Sequence, residues 1–360
     1  MKLLCICPIG IGNYLLFYPA VQMLKACRSD VELHLLALRK AIKDFADGDP
    51  LWNEIHVMDP SKIHGAKQKL SYIKQLAANG FDASLSYFPS NRWEYNLLPF
   101  LCGIKERYAF HYHLNRFGSL SFLNNRLLPV DPSLHDLHQN INLTSLFLHR
   151  DLHDQKLVFP QLFTPKESRQ ALDLLSDSMP VRIAIHPGSS VEHGMDAKRW
   201  PAERFGLLAD RICARLGAEA LIFGGPDELE LKKSVASVMK QPHRLIDPIP
   251  LNLTSAFISK CRLCICNDSG LMHCAAVTGV PVAAVFGPTD EHRNGPVGSG
   301  HLILRKQMNG FPLWTARNVG VRYIPKGCDP SESIKALSVE DAWNMVEPWL
   351  NSAESSRSDS

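Results

Sequence analysis

Apolar and polar positions along the chain follow two rhythms. Short apolar runs bounded by turn residues read as buried strands; longer segments with apolar residues three or four apart read as helices. In the first half, KLLCIC, VELHLLAL, EIHVMD and FDASLSYF are strand-like, with helices predicted from Tyr14 to Ala26 and from Gly65 to Ala78. The second half starts the same pattern again: VRIAIHPG, a helix from Pro201 to Leu216, then EALIFGGP, HRLIDP, RLCICND and VPVAAVFGP. A helix from Val339 to Leu350 closes the pattern, and the polar tail NSAESSRSDS reads as disordered. Strands alternating with helices predict parallel sheets covered by helices. The join falls between Leu157 and Pro180, where Pro160, Pro165 and Pro180 stand. The expectation is an α/β protein of two Rossmann-like, doubly wound domains facing across a cleft, over 1–160 and 161–335, with a helix at 336–350 and a tail at 351–360.

Composition narrows the class. A chain of 360 residues suits two domains that each bury a core. Its 45% hydrophobic and 21% charged residues are those of a globular protein in water. A net charge of +3 gives no electrostatic case for nucleic acid. No apolar run reaches the roughly 18 residues of a spanning helix, and the first strand is too short for a signal peptide. Ten cysteines scattered through apolar runs favour reduced thiols, and a cytoplasmic location is expected.

Open parallel sheets bind ligands beyond the carboxyl ends of their strands, so the stretches after strands carry the chemistry. In CPIGIGNYLLFYPAVQML, Gly10 and Gly12 open a helix, but Leu15 occupies the place of a dinucleotide fingerprint's third glycine. That break argues against a dinucleotide oxidoreductase. In CNDSGLMHCAAVTGVPVAAVFGPTD, Asp268 and Ser269 precede a short helix, Gly270 leaves its amides approachable, and His273 lies on its first turn. Such a helix start is a ready anion site, with a diphosphate as the obvious anion. Taken singly, Asp268 reads as a helix cap and His273 as a packed histidine; their joint arrangement points to a ligand.

HPGSSVEHGMDAKRWPAERF offers Gly188, Ser189 and Ser190 as a small-residue loop for phosphate oxygens. Lys198 precedes a helix predicted to begin at Pro201, and can neutralise a departing diphosphate. In IFGGPDELE, Glu228 can accept hydrogen bonds from ribose hydroxyls, or simply favour a helix dipole. Cys261, Cys264 and Cys266 in CRLCIC run along an apolar strand and read as core rather than a metal site. His111, His113, His135 and His138 read as loops or acceptor contacts; with Arg92, Lys105, Arg107 and Arg116 they form a basic stretch suited to a phosphorylated glycan or simply solvated.

Taken together these stretches resemble glycosyltransferase family 9, the heptosyltransferases of lipopolysaccharide assembly. The resemblance rests on D-S-G-x-x-H-x-A-A-x-x-G-x-P followed by F-G-P-T, on H-P-G-S-S with K-R-W-P, on G-G-P-D-E, and on the opening G-I-G-N-Y-L-L-F-Y-P-A. It implies a GT-B fold, acceptor on the first domain and nucleotide-sugar on the second, and an inverting transfer without a metal or other cofactor. The implied donor is ADP-heptose and the acceptor a phosphorylated, lipid-linked glycan, reached by transient contact with the cytoplasmic face of the inner membrane. Carried over by motif, Ser189, Ser190, Lys198, Ser269 and Gly270 would hold the diphosphate, Glu228 the ribose, and Asp268 and His273 phosphate or sugar. Gly10, Gly12 and Asn13 would face the acceptor. Many family members carry aspartate at the position of Asn13 as base, and an asparagine amide is not a base. Two alternatives stay open: a nucleotide-sugar 2-epimerase-like enzyme, and a nucleotide-sugar-binding protein without catalysis.

Overall fold

The computed structural model describes residues 1–7, 10–59, 63, 65–177, 179–315 and 324–358. The chain divides into two compact units. Unit 1 is built from Met1–Gln161 together with His292–Asn294; unit 2 is built from Leu162–Glu291, Gly295–Trp314 and the chain from Ile324.

Unit 1 holds six strands: β1 (Lys2–Cys7), β2 (Glu32–Ala37), β3 (Glu54–Val57), β4 (Ala83–Ser86), β5 (Glu106–His111) and β6 (Arg126–Pro129). They form one sheet in the order β3-β2-β1-β4-β5-β6, and every pairing is parallel. β1 is central, with Cys5 in register with Leu35 on one side and Leu85 on the other. A strand flanked and covered on both faces must be apolar throughout, and Leu3–Cys7 are all buried. Unit 2 holds β7 (Arg182–His186), β8 (Glu219–Ile222), β9 (His243–Leu245), β10 (Leu263–Asn267), β11 (Val282–Val285) and β12 (Leu302–Leu304). Their order is β12-β11-β10-β7-β8-β9, again all parallel. Each unit therefore has the Rossmann order, three strands wound one way and three the other. The switch points lie between β1 and β4 in unit 1 and between β7 and β10 in unit 2.

The helix Ile11–Cys27 follows β1 and buries Tyr14–Val21, Met23 and Leu24. In unit 2 the helix Ala202–Leu216 buries Phe205, Leu208, Ala209 and Ile212 against Ile183 and Ile185 of the sheet, and the last helix adds Val346 and Leu350 to the same core. Gly217 ends that first helix with a φ of 60°, a left-handed turn suited to glycine.

Four elements differ from the sequence expectation. The stretch containing His135 and His138 is no loop: His135 caps the helix Asp136–Leu148, accepting from the Leu137 amide, and His138 lies within it. The pattern hides because polar residues take core positions there, with Asn140 bonding the Phe88 amide and Thr144 the Tyr87 hydroxyl. The join contains the helix Pro165–Leu174, started by a capping box between Thr164 and Glu167. The helix expected from Pro201 begins at Ala202, with Pro201 as its N-cap. The final helix runs to Ser358 rather than stopping at Leu350, with Pro348 inside it.

Candidate active site

β7 and β10 end side by side, so the chain that follows each meets at the switch point of unit 2. Asn267, the last residue of β10, is fully buried and ties the two together. Its Nδ2 donates to Pro187 O at 2.7 Å, and its Oδ1 accepts from the Trp200 amide at 3.0 Å. Trp200, itself buried, donates its indole N–H to Leu337 O at 2.9 Å. One side chain thus fixes the Gly188–Ser190 loop and the Lys198–Trp200 segment against the same strand end.

Lys198 Nζ lies 3.0 Å from Asp268 Oδ2. Burial raises the Asp268 pKa, but the charge and hydrogen bond of Lys198, helped by His273 and Thr289, outweigh it and hold the carboxyl below its ordinary value. Asp268 is therefore an ionised partner of Lys198 rather than a helix cap. His273 is buried within the helix Gly270–Val277, close enough for its charge to act on Asp268.

Ser269 is the N-cap of that helix, yet its side chain makes no capping bond. Its Oγ instead lies 3.3 Å from His186 Nδ1, and His186 Nε2 lies 3.2 Å from Glu228 Oε2. Burial pushes the Glu228 pKa up, but the bond and charge of His186, the Gly225 amide and Arg199 together hold it down to about 2. Glu228 is therefore an acceptor, so Nε2 carries the proton toward it. His186 Nδ1 and the Ser269 hydroxyl share the ring's other hydrogen bond, in which either atom can donate. That draws the hydroxyl away from the helix and leaves the first-turn amides without a side-chain cap.

Glu228 also takes Arg199 at 3.2 Å and the Gly225 amide at 2.9 Å. Arg199 donates as well to Ser189 O, clamping the serine loop. A Cβ on Gly188 would stand 1.8 Å from Glu228 Oε1, so only glycine fits there. Ser189 is buried and its hydroxyl faces Ser190 O and Met195 O at 3.3 and 3.4 Å, whereas Ser190 is exposed. The F-G-P-T turn is held by the buried Arg305, which bonds Gly287 O and Thr289 O and pairs with Glu291.

The structure thus brings together Ser189, Ser190, Lys198, Glu228, Asp268, Ser269, Gly270 and His273. Sequence reasoning passed over His186, Arg199 and Asn267 as single residues, although each stands inside a quoted motif. Within the cluster Lys198 is paired with Asp268 and Arg199 with Glu228. What it offers an anion is directed donors: amides at a helix start, hydroxyls, and the remaining protons of Lys198.

In unit 1, Gly10, Gly12 and Asn13 occupy the corresponding position after β1. Gly10 has φ 121° and ψ 140°, a conformation side-chain-bearing residues rarely adopt. Asn13 is half-buried in the first turn of the helix, its Nδ2 3.6 Å from where a Gly10 Cβ would stand. Across the switch point, Phe88 and Ser90 follow β4, and Arg293 lies 5.8 Å over the Phe88 ring while gripping buried Asp136 at 2.9 and 3.1 Å.

Several side features have structural roles. Cys261, Cys264 and Cys266 are buried; burial raises Cys261, and the hydrogen bond that Cys264 shares with Cys266, together with burial, raises Cys264. Of the basic stretch, Arg92 pairs with Glu94 and Arg107 bonds Leu123 O at 2.8 and 3.0 Å. One D-x-D triplet stands in the chain, Asp47-Gly48-Asp49. Asp49 accepts there from the Tyr18 hydroxyl at 2.7 Å and the Leu51 amide at 2.9 Å, closing a turn.

Residues 69–313 match the profile of glycosyltransferase family 9 (heptosyltransferase), more than half of the chain. This chain belongs to glycosyltransferase family 9. Curated relatives agree. A lipopolysaccharide heptosyltransferase 2 from Escherichia coli K12 is 24% identical over 330 residues, covering 85% of this chain and 88% of that protein. A lipooligosaccharide heptosyltransferase 2 from Haemophilus influenzae is 30% identical over 128 residues, covering 34% of this chain and 36% of the relative. Among solved structures, the E. coli ADP-heptose lipopolysaccharide heptosyltransferase II superposes with a TM-score of 0.71 at 20% identity, covering 98% of this chain and all of that one (100%). The family's fold, two α/β units of GT-B type, is the fold described above. Family membership makes the chain a glycosyltransferase. Among the described residues no helix is long and apolar enough to cross a membrane.

Proposed function

We propose that this enzyme transfers a heptose from ADP-heptose to a lipopolysaccharide-core acceptor, with inversion. One observation carries the reading: in a family 9 chain, the uncapped helix start at Gly270, the Ser189–Ser190 loop and Lys198 converge at the switch point of unit 2. The donor diphosphate sits there, held by Ser189, Ser190, Lys198, Ser269 and Gly270, with Asp268 holding Lys198 in place and His273 beside it. A carboxylate has about four acceptor positions, and Glu228 spends three on His186, Gly225 and Arg199. The fourth accepts a ribose hydroxyl.

The leaving diphosphate is stabilised by Lys198 and the helix-start amides, so the transfer runs without a metal. Loss of turnover in chelator, restored by magnesium or manganese, contradicts this. Unit 1 receives the acceptor at Gly10, Gly12 and Asn13. Exposed Leu114 and Phe117, 66% and 80% accessible, flank Arg116 on the same unit and support transient contact with an anionic membrane face.

The test is incubation of the purified chain with ADP-heptose and lipopolysaccharide from a host with a heptose-deficient core. The expected result is ADP release together with a mass gain of one heptosyl residue on the core. A second reading, a binding protein without chemistry, is motivated by Asn13; ADP binding with no transfer to any truncated core supports it. ADP release without acceptor favours an epimerase-like reaction instead.

A further inference from the structure

β2 and β3 carry a cluster that the transferase reading leaves unused. Residues two apart on a strand face the same side, so Glu54 and His56 on β3 share a face. His34 on β2 is in register with Glu54 and stands beside both. His34 Nδ1 lies 3.0 Å from His56 Nε2. The Glu54 carboxylate lies 3.6 Å from His34 Nδ1 and 3.6 Å from His56 Nδ1. One ligand atom from each of the three residues falls within 4.8 Å of the others, the single such His/Cys/Asp/Glu group among the described residues. The two rings are nearly parallel, 6° apart, and Phe81 packs edge-on against both at 5.1 and 5.9 Å.

We propose that His34, His56 and Glu54 bind a divalent transition-metal ion, with Zn²⁺ as the best fit. Two imidazole nitrogens on one tetrahedral zinc, each at about 2.0–2.1 Å, stand about 3.3 Å apart. The two atoms are observed 3.0 Å apart in a hydrogen-bonded contact, which opens by about 0.3 Å to take the ion. Two imidazoles and one carboxylate form a donor set that zinc accepts, with water in the fourth position. Glu54, whose side chain is 54% exposed, is the entry side; His34 and His56, at 5% and 12%, are the seated ligands.

The surroundings fit a cation. Glu32 and Glu54 bring two negative charges against one from Lys2, whose Nζ lies 3.7 Å from Glu32. His34 Nε2 is buried with no hydrogen-bond partner, and Glu32 Oε2 lies 3.9 Å from it. Metal at Nδ1 puts the ring proton on Nε2, facing that carboxylate, the outer-shell arrangement that ligating histidines usually have. His34 is also in register with Leu4, in the middle of β1 and before its carboxyl end. The ion therefore ties the edge strand β3 to β2 and takes no part in the transfer.

The experiment uses the whole chain, stripped with chelator and titrated with zinc chloride by calorimetry. One equivalent binds, and the melting temperature rises on zinc addition. Glu54→Gln, at the exposed side of the cluster, and His56→Gln, at a seated ligand, each weaken binding at least tenfold and abolish the thermal shift. Because ten cysteines offer other ligands, cobalt replaces zinc in a parallel titration. The expected spectrum has d–d bands without a thiolate charge-transfer band. No binding, unchanged affinity in His56→Gln, or a thiolate band each overturns the proposal.

Discussion

Lys198 and Asp268 form an ion pair 3.0 Å long whose side chains are only 12% and 4% exposed. Breaking such a pair strands a charge where water cannot solvate it. Lys198→Ala therefore costs about 3 kcal/mol of folding stability and weakens ADP binding more than tenfold. Residues that share one interaction are not additive. The double variant Lys198→Met/Asp268→Asn loses less stability than the two single variants summed, as measured by urea unfolding. Additive losses, or an unchanged ADP affinity in Lys198→Ala, contradict the pairing or the role.

Gly188 has a role that its neighbours impose. A methyl group there would meet Glu228 Oε1 at 1.8 Å. Gly188→Ala therefore displaces Glu228 and the bonds that it makes with His186 and Arg199. A loss of about 1–3 kcal/mol is expected, along with weaker ADP binding, read by thermal unfolding and calorimetry. Adding Glu228→Ala removes the clash, so the double variant is more stable than the separate losses predict. A Gly188→Ala variant with wild-type stability contradicts this packing.

Much of this was legible in the sequence, and the limits have physical causes. The β1 run, the restart at β7 and the strand–turn–helix at Asp268–Gly270 are local patterns, and the structure has them. The pairing of Lys198 with Asp268 spans 70 residues and that of Arg199 with Glu228 spans 29. No periodicity encodes such partners. Asp268 has the residue type and position of a helix cap, and only the approach of Lys198 gives it another role. The helix Asp136–Leu148 was hidden because it buries Gln139, Asn140 and Thr144. The helix in the join carried its own signal, Thr164-x-x-Glu167 before a helical run.

Glu228 links the site to pH. Its carboxyl is held down to about 2 in the folded chain, against 4.5 for an ordinary glutamate. A depressed carboxylate contributes stability above its unfolded pKa and loses it as pH falls through the folded value. The wild type should thus be more stable than Glu228→Gln near neutral pH, with the gap closing between about pH 4.5 and pH 2. Urea unfolding at a series of pH values measures that gap. A constant gap at all pH values contradicts the ionised assignment, and with it the proton placed on His186 Nε2.

Asn13 tests the acceptor side. Asn13 stands in the first turn after the left-handed Gly10, and in the proposed reading its amide positions the attacking hydroxyl rather than taking its proton. Positioning depends on geometry. Asn13→Ala should lower kcat by about tenfold to a hundredfold, with no loss of ADP affinity, while Asn13→Asp stays close to wild type. A large gain in Asn13→Asp means that a missing base limits the chemistry. Wild-type turnover in Asn13→Ala removes the turn from catalysis.

The central claim is that the donor diphosphate lies at the switch point of unit 2, on the amides that follow β7 and β10. Amide hydrogen exchange followed by mass spectrometry, with and without ADP, tests it without any acceptor. The account predicts slowed exchange in peptides covering Gly188–Ser190 and Gly270–Met272, and no change in peptides covering Gly10–Leu16. Protection confined to Gly10–Leu16, or absent from both unit 2 segments at saturating ADP, contradicts it.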